Sequence, residues 1–188
     1  MYFLSKPLFI VILTPFLFFF FSGCGPDSTE PQKPNIVIIL ADDMGYGDVR
    51  ALNPKGRIPT PAIDALAGEG ISFSNAHASA SVCTPSRYGL LTGRYAFRSE
   101  KAARGIGGFE EPVIEPGRKT LASVLGEAGY TTACIGKWHL GVDWQTIDGE
   151  ERAVMNSTTR YSNVDYSKPV TGGPNDLGFD YSFIHPAS

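Results

Sequence analysis

Apolar positions in this chain fall into three kinds of run, and each predicts a different element. The first, from Pro7 to Phe21, is 15 residues long, almost wholly apolar, and interrupted by Pro15. One cation, Lys6, precedes it and Ser22-Gly23-Cys24 follows, which is the layout of a secretory leader. It falls short of the ~20 residues of a spanning helix, so a leader is preferred to a membrane anchor. The second kind is the unbroken run Ile36 to Leu40 in "PNIVIILADD", which stops at two carboxylates. Such a run predicts a strand buried on both faces of a parallel sheet. The third kind is spaced and capped. Thr60-Pro61 before "AIDALAGEG" offers a cap, a proline at the first helical position and a glycine stop. Thr84-Pro85 begins a second helix, "PSRYGLLTG", and Thr120 caps a third, "LASVLGEAGY". The short runs "ISFSNAHA" and "TTACIGK" predict strands. Strands and helices in this rhythm predict an α/β protein with crossover connections.

Between these elements the pattern lapses twice. "GPDSTEPQKP" is polar and proline-rich, and reads as a tether. From Asp143 to Pro174 the chain is polar and irregular, a long loop or insertion. "LGFDYSFIHPAS" then begins a new apolar run and ends, so the C-terminal part of a sheet protein is expected to be missing. The chain divides accordingly into a leader at 1–23, a tether at 24–34 and the N-terminal part of a catalytic domain at 35–188.

Charge and cysteine content narrow the picture. A net charge of −3 leaves no electrostatic footprint for nucleic acid. Three cysteines in an exported chain leave one over. The small residues before Cys24 resemble a bacterial lipobox, although Phe21 stands where leucine is usual. The chain is therefore expected to be exported to the bacterial periplasm or outer membrane, anchored by lipid at Cys24 and touching a membrane only through that anchor or its leader. Cys83 and Cys134 could then pair or have separate fates. Cys134, in a β-prone run, reads as a small buried hydrophobe.

Chemistry concentrates at three places. Asp42 and Asp43 end a predicted buried strand, where ligands bind in open α/β sheets. Adjacent carboxylates repel unless a cation lies between them, and oxygen ligation favours Ca²⁺ or Mg²⁺; an N-cap or a solvated turn is the plainer reading. Cys83 lies near the start of the predicted second helix, where free N–H groups favour negative charge, and Arg87 is four residues on. That leaves either an inert thiol or a nucleophile served by a base such as His77 or His139. Lys137 and His139, in "GKWHLG", are placed by strand alternation on one face, with Trp138 on the other. They bring a cation and a proton-transfer group together beyond the sheet, suited to an anionic substrate. His77 and His185 read as structural.

"PNIVIILADDMGYGD", "VCTPSRYGLLTGRY", "CIGKWHLG" and "GFDYSF" together resemble the type I sulfatases of the arylsulfatase kind, in the alkaline phosphatase superfamily. The resemblance runs from about residue 34 to the end. It implies an alkaline-phosphatase-like sandwich, with a central mixed, largely parallel sheet flanked by helices. Cys83 is then expected to be oxidised to Cα-formylglycine by a formylglycine-generating enzyme that reads Pro85 and Arg87 on the unfolded chain. One hydroxyl of the hydrated aldehyde attacks the sulfur of a sulfate ester, and loss of a proton from the other expels sulfate.

Position by position, the resemblance makes Asp42, Asp43 and modified Cys83 calcium ligands, with Mg²⁺ the lesser candidate. Arg87 holds the formylglycine, Lys137 contacts diol and sulfate, His139 takes the proton, and Ser188 contacts the sulfate. The substrate is a sulfated carbohydrate or an aryl sulfate. Further metal ligands and the leaving-group acid belong downstream of residue 188, so this stretch by itself is expected to lack a complete site. The rival readings are a related phosphoesterase and an inactive or sulfated-glycan-binding lipoprotein.

Overall fold

A computed structural model describes residues 32–150, 153 and 162–187. Expectations for the leader, Cys24 and Ser188 lie outside these residues. The chain divides into two units between Leu40 and Ala41.

In the first unit, Ile36 to Leu40 is not a strand. Its side chains are all exposed, Val37 and Ile39 by more than four-fifths. A strand apolar on both faces requires a neighbour at each edge and a layer over each face. Among the described residues the one sheet has two strands, and neither lies here.

The second unit carries the regular structure. Helix α1 spans Pro61–Glu69, with proline at its first position as expected. Thr60 precedes it without capping it; the Thr60 hydroxyl accepts from the Arg50 N–H and donates to Asp64 Oδ1. The predicted strand "ISFSNAHA" stays irregular, with Ile71 and Phe73 exposed. Strand propensity expresses packing against cross-strand neighbours, and this run has none among the described residues.

Helix α2 spans Cys83–Thr92, two residues earlier than Pro85 suggested. Val82 is its extended N-cap, and Gly93, at φ 64°, ends it in the left-handed conformation. Gly89 lets α2 lie against the preceding segment, because a Cβ there would strike the Ser79 hydroxyl. Helix α3 spans Leu121–Glu127 and keeps its predicted cap. The Ser123 N–H donates to Thr120 Oγ1, and the Thr120 N–H donates to Ser123 Oγ.

Strand β1, Ala133–Lys137, pairs in parallel with strand β2, Tyr181–His185, in the register Ala133↔Tyr181 to Lys137↔His185. Asp180 pins that register at the strand starts, accepting from both the N–H and the hydroxyl of Thr132. The connection between the strands is the predicted irregular stretch, closed on itself by antiparallel bridges Asp143↔Thr171 and Thr146↔Val164. The core gathers Tyr88 of α2 with Ile106, Val113, Trp138, Leu140 and Val142. It thereby clamps the start of α2 to the end of β1.

Candidate active site

The parallel pair fixes where chemistry can occur, because ligands collect beyond the C-terminal ends of such strands. β1 ends at Lys137, and its ammonium turns toward two partners. Nζ lies 2.8 Å from Asp42 Oδ2 and 3.3 Å from Cys83 Sγ. Cys83 is the first residue of α2, so the sulfur sits at the end of a ten-residue helix where unpaired N–H groups favour negative charge.

Arg87, one turn along α2, closes the arrangement from the other side. Its Nη1 donates to the Lys137 carbonyl at 2.6 Å, and its Nη2 lies 3.8 Å from Asp42 Oδ1. Its Nε is buried and unpartnered. The hydrogen bond from Lys137 holds the Asp42 carboxyl below its ordinary value, helped by the nearby charge of Arg87. The same bond to Asp42 raises Lys137, and the neighbouring Cys83 adds to the effect.

His139 reaches this region by a different route from the one strand alternation predicted. β1 has already ended, and His139 has φ 53°, a left-handed backbone uncommon for a residue with a Cβ. Such a conformation costs about 1–3 kcal/mol and persists only where its surroundings over-determine it. Here they do. The His139 N–H donates to the Pro186 carbonyl at 3.0 Å, and its own carbonyl accepts from Thr84 Oγ1 at 3.0 Å. The ring Nε2 lies 2.7 Å from the Ile106 carbonyl. A carbonyl can only accept, so Nε2 carries the hydrogen and Nδ1 keeps the lone pair. Nδ1 is buried and has no partner. Trp138, which alternation put on the opposite face, is equally buried and fills the core.

The structure thus brings together Asp42, Cys83, Arg87 and Lys137, while His139, two residues beyond Lys137, has its ring on the Ile106 carbonyl. Asp43 is exposed at φ 60° and stands outside this hydrogen-bond network among the described residues. His77 is exposed on Asn75, away from it. Cys134 and Cys83 are both free thiols; Cys134 is half-buried against the core, and burial pushes its thiol up.

No group of three or more His, Cys, Asp or Glu side chains gathers among the described residues. The donor chemistry nonetheless suits a hard cation. Two adjacent carboxylates are present, and Asp42 is held ionised and partly open to solvent. They would supply part of the ~6–8 oxygens that calcium takes.

Two features went unread in the sequence. Thr84 marks a helix start in the sequence, and its hydroxyl also donates to the His139 carbonyl. Glu115, in "VIEPGRK", receives Tyr88 Oη at 2.9 Å, Arg94 Nη1 at 3.0 Å and Arg118 Nε at 3.2 Å. The arginine of "LLTGR" is thereby committed to bracing α2.

Residues 34–185 match the family described as Sulfatase. An N-acetylgalactosamine-6-O-sulfatase of Bacteroides thetaiotaomicron is 40% identical over 84% of this chain and 27% of its own. Arylsulfatase G of Rattus norvegicus is 48% identical over 93% of this chain and 31% of its own. A solved Bacteroides thetaiotaomicron structure, described under the metabolism of multiple glycosaminoglycans, superposes with a TM-score of 0.70 at 39% identity, covering 84% of this chain and 29% of that one. Ps i-CgsB in complex with k-i-k-neocarrahexaose gives a TM-score of 0.59 at 33% identity over 81% of this chain and 28% of that one. The chain therefore spans less than a third of the length of these relatives.

Proposed function

The chain belongs to the sulfatase family, and from that premise we propose that the whole protein hydrolyses sulfate esters through a formylglycine derived from Cys83. The observation that carries this reading is the placement of Cys83 at the first position of α2, 3.3 Å from the Lys137 ammonium. Once hydrated, the formylglycine supplies one hydroxyl to attack sulfur, the ester S–O bond breaking as the alcohol leaves, and a second whose deprotonation re-forms the aldehyde and breaks the C–O bond to sulfate.

The chain's own residues do the rest. Lys137 binds the anionic sulfate with its ammonium, which Asp42 keeps protonated. Arg87, anchored on the Lys137 carbonyl, neutralises charge developing at position 83. His139 takes the proton of the second hydroxyl at Nδ1, since Nε2–H is committed to Ile106. Asp42, Asp43 and residue 83 would hold calcium, which draws negative charge toward the sulfate oxygens. Ser188 joins them as a contact to the sulfate.

A sulfated carbohydrate is the favoured substrate, ahead of an aryl sulfate. Support comes from the relative named for N-acetylgalactosamine-6-O-sulfate chemistry and from the neighbour bound to a neocarrahexaose. Maturation requires a formylglycine-generating enzyme. The protein is exported and held by lipid at Cys24, a reading supported by the apolar run Pro7 to Phe21 and the small residues before that cysteine.

Peptide mass spectrometry across Cys83 of the full-length protein, produced with a formylglycine-generating system, tests this. Residue 83 should lose its sulfur and gain a carbonyl, and Cys83→Ala should abolish sulfatase turnover while the protein still folds. An unmodified thiol together with no sulfatase activity would overturn the reading.

A further inference from the structure

The second residue of the Cys-Thr-Pro-Ser-Arg block has no part in the chemistry above, yet Thr84 is completely buried. Its hydroxyl is 3.0 Å from the main-chain carbonyl of His139, a contact across 55 residues of sequence. We propose that Thr84 is a positioning residue that holds His139 in its left-handed conformation, and so presents Nδ1 as the base of the reaction. The inference rests on the sulfatase reading.

Three segments hold His139, one at each polar group. The Pro186 carbonyl takes its N–H, the Ile106 carbonyl takes its Nε2–H, and Thr84 Oγ1 gives a hydrogen to its carbonyl. Of the three, only Thr84 acts through a side chain, so only it can be removed by substitution. It also belongs to the same helical turn as Cys83. The bond therefore ties the main chain of the base to the helical turn that carries the reacting position.

The backbone alternative explains why this matters. At φ 53° His139 competes with ordinary right-handed or extended conformations. If it relaxed to one of them, the ring would swing away from the Ile106 carbonyl and its fixed tautomer would be lost. Bulk at position 84 fills the core either way; the hydroxyl alone makes this link.

Thr84→Val keeps the shape and removes the hydroxyl, whereas Thr84→Ser keeps the hydroxyl. Each is prepared in the full-length protein, and its turnover is divided by the formylglycine content at position 83 from peptide mass spectrometry. Thr84→Val should lower kcat per formylglycine on the order of tenfold to a hundredfold, as a small displacement of a catalytic group does, with KM little changed. Thr84→Ser should restore most of it. A second readout is independent of turnover: nitrogen-15 NMR of the His139 ring, assigned with His139→Asn, should show Nε2 protonated in the wild type and in Thr84→Ser, and a tautomer mixture in Thr84→Val. Wild-type kcat per formylglycine in a folded Thr84→Val, with an unchanged His139 tautomer, would overturn the proposal. Wild-type protein without formylglycine or sulfatase turnover would instead overturn the functional reading beneath it.

Discussion

Gly141 follows His139 by two positions with φ 76°, and a Cβ there would run into the Glu111 carbonyl. The left-handed backbone and the close approach both require glycine. Gly141→Ala should therefore lower stability by more than ~1 kcal/mol, read as a fall in Tm of the full-length protein. Asp42 makes a different kind of prediction. It shares one ammonium with Cys83, and its negative charge is what a cation would use. Asp42→Asn should weaken calcium binding in a calorimetric titration and lower turnover with it; unaltered calcium affinity would remove Asp42 from the ligand set. Residues such as Cys83, Arg87 and Lys137 were legible in the sequence because helix starts and strand ends leave local marks. Thr84 was not, since its role depends on the sign of φ at a residue 55 positions away. Glu115 was hidden for a similar reason: its three partners come from α2 and from the turns on either side of it.

The elements divide according to where their stabilising partners lie. The helices were readable because helix-start prolines and glycine stops are short-range signals, although of the predicted caps only Thr120 kept its role, through reciprocal bonds with Ser123. β1 was readable from its short β-prone run, but "NIVIIL" and "ISFSNAHA" did not become strands, because a strand exists only by virtue of its neighbours. β1 and β2 pair along their backbones, and at their starts Asp180 has a carboxyl held below the ordinary 3.8 by the Thr132 N–H and hydroxyl. A depressed carboxyl contributes stability that is present above its unfolded value and disappears as pH falls through the folded one. Asp180→Asn should thus flatten the loss of stability on acidification below about pH 4 relative to wild type, in urea melts taken at several pH values. An identical acid limb in wild type and variant would dissociate Asp180 from the register of the sheet.

Across the whole molecule, the sheet shows an apolar face. Ile135 and Phe183 face each other in register, 73% and 72% exposed, with Tyr181 beside them. A contiguous apolar surface of this kind favours association. The 188-residue chain expressed by itself should consequently scatter light as an oligomer, and Phe183→Lys should reduce that scattering. The α/β class was visible from the order of runs, and the superposition on sulfatases agrees with it. The site itself spans 95 residues between Asp42 and Lys137, and 54 between Cys83 and Lys137. That second separation is also an interval of time. At ~5–20 residues per second, Lys137 is synthesised roughly 3–11 seconds after Cys83. During that interval the nascent chain carries the cysteine without the ammonium that will later cover it. A modifying enzyme of the kind proposed above, working on unfolded polypeptide, would therefore meet Cys83 before its own site could close around it.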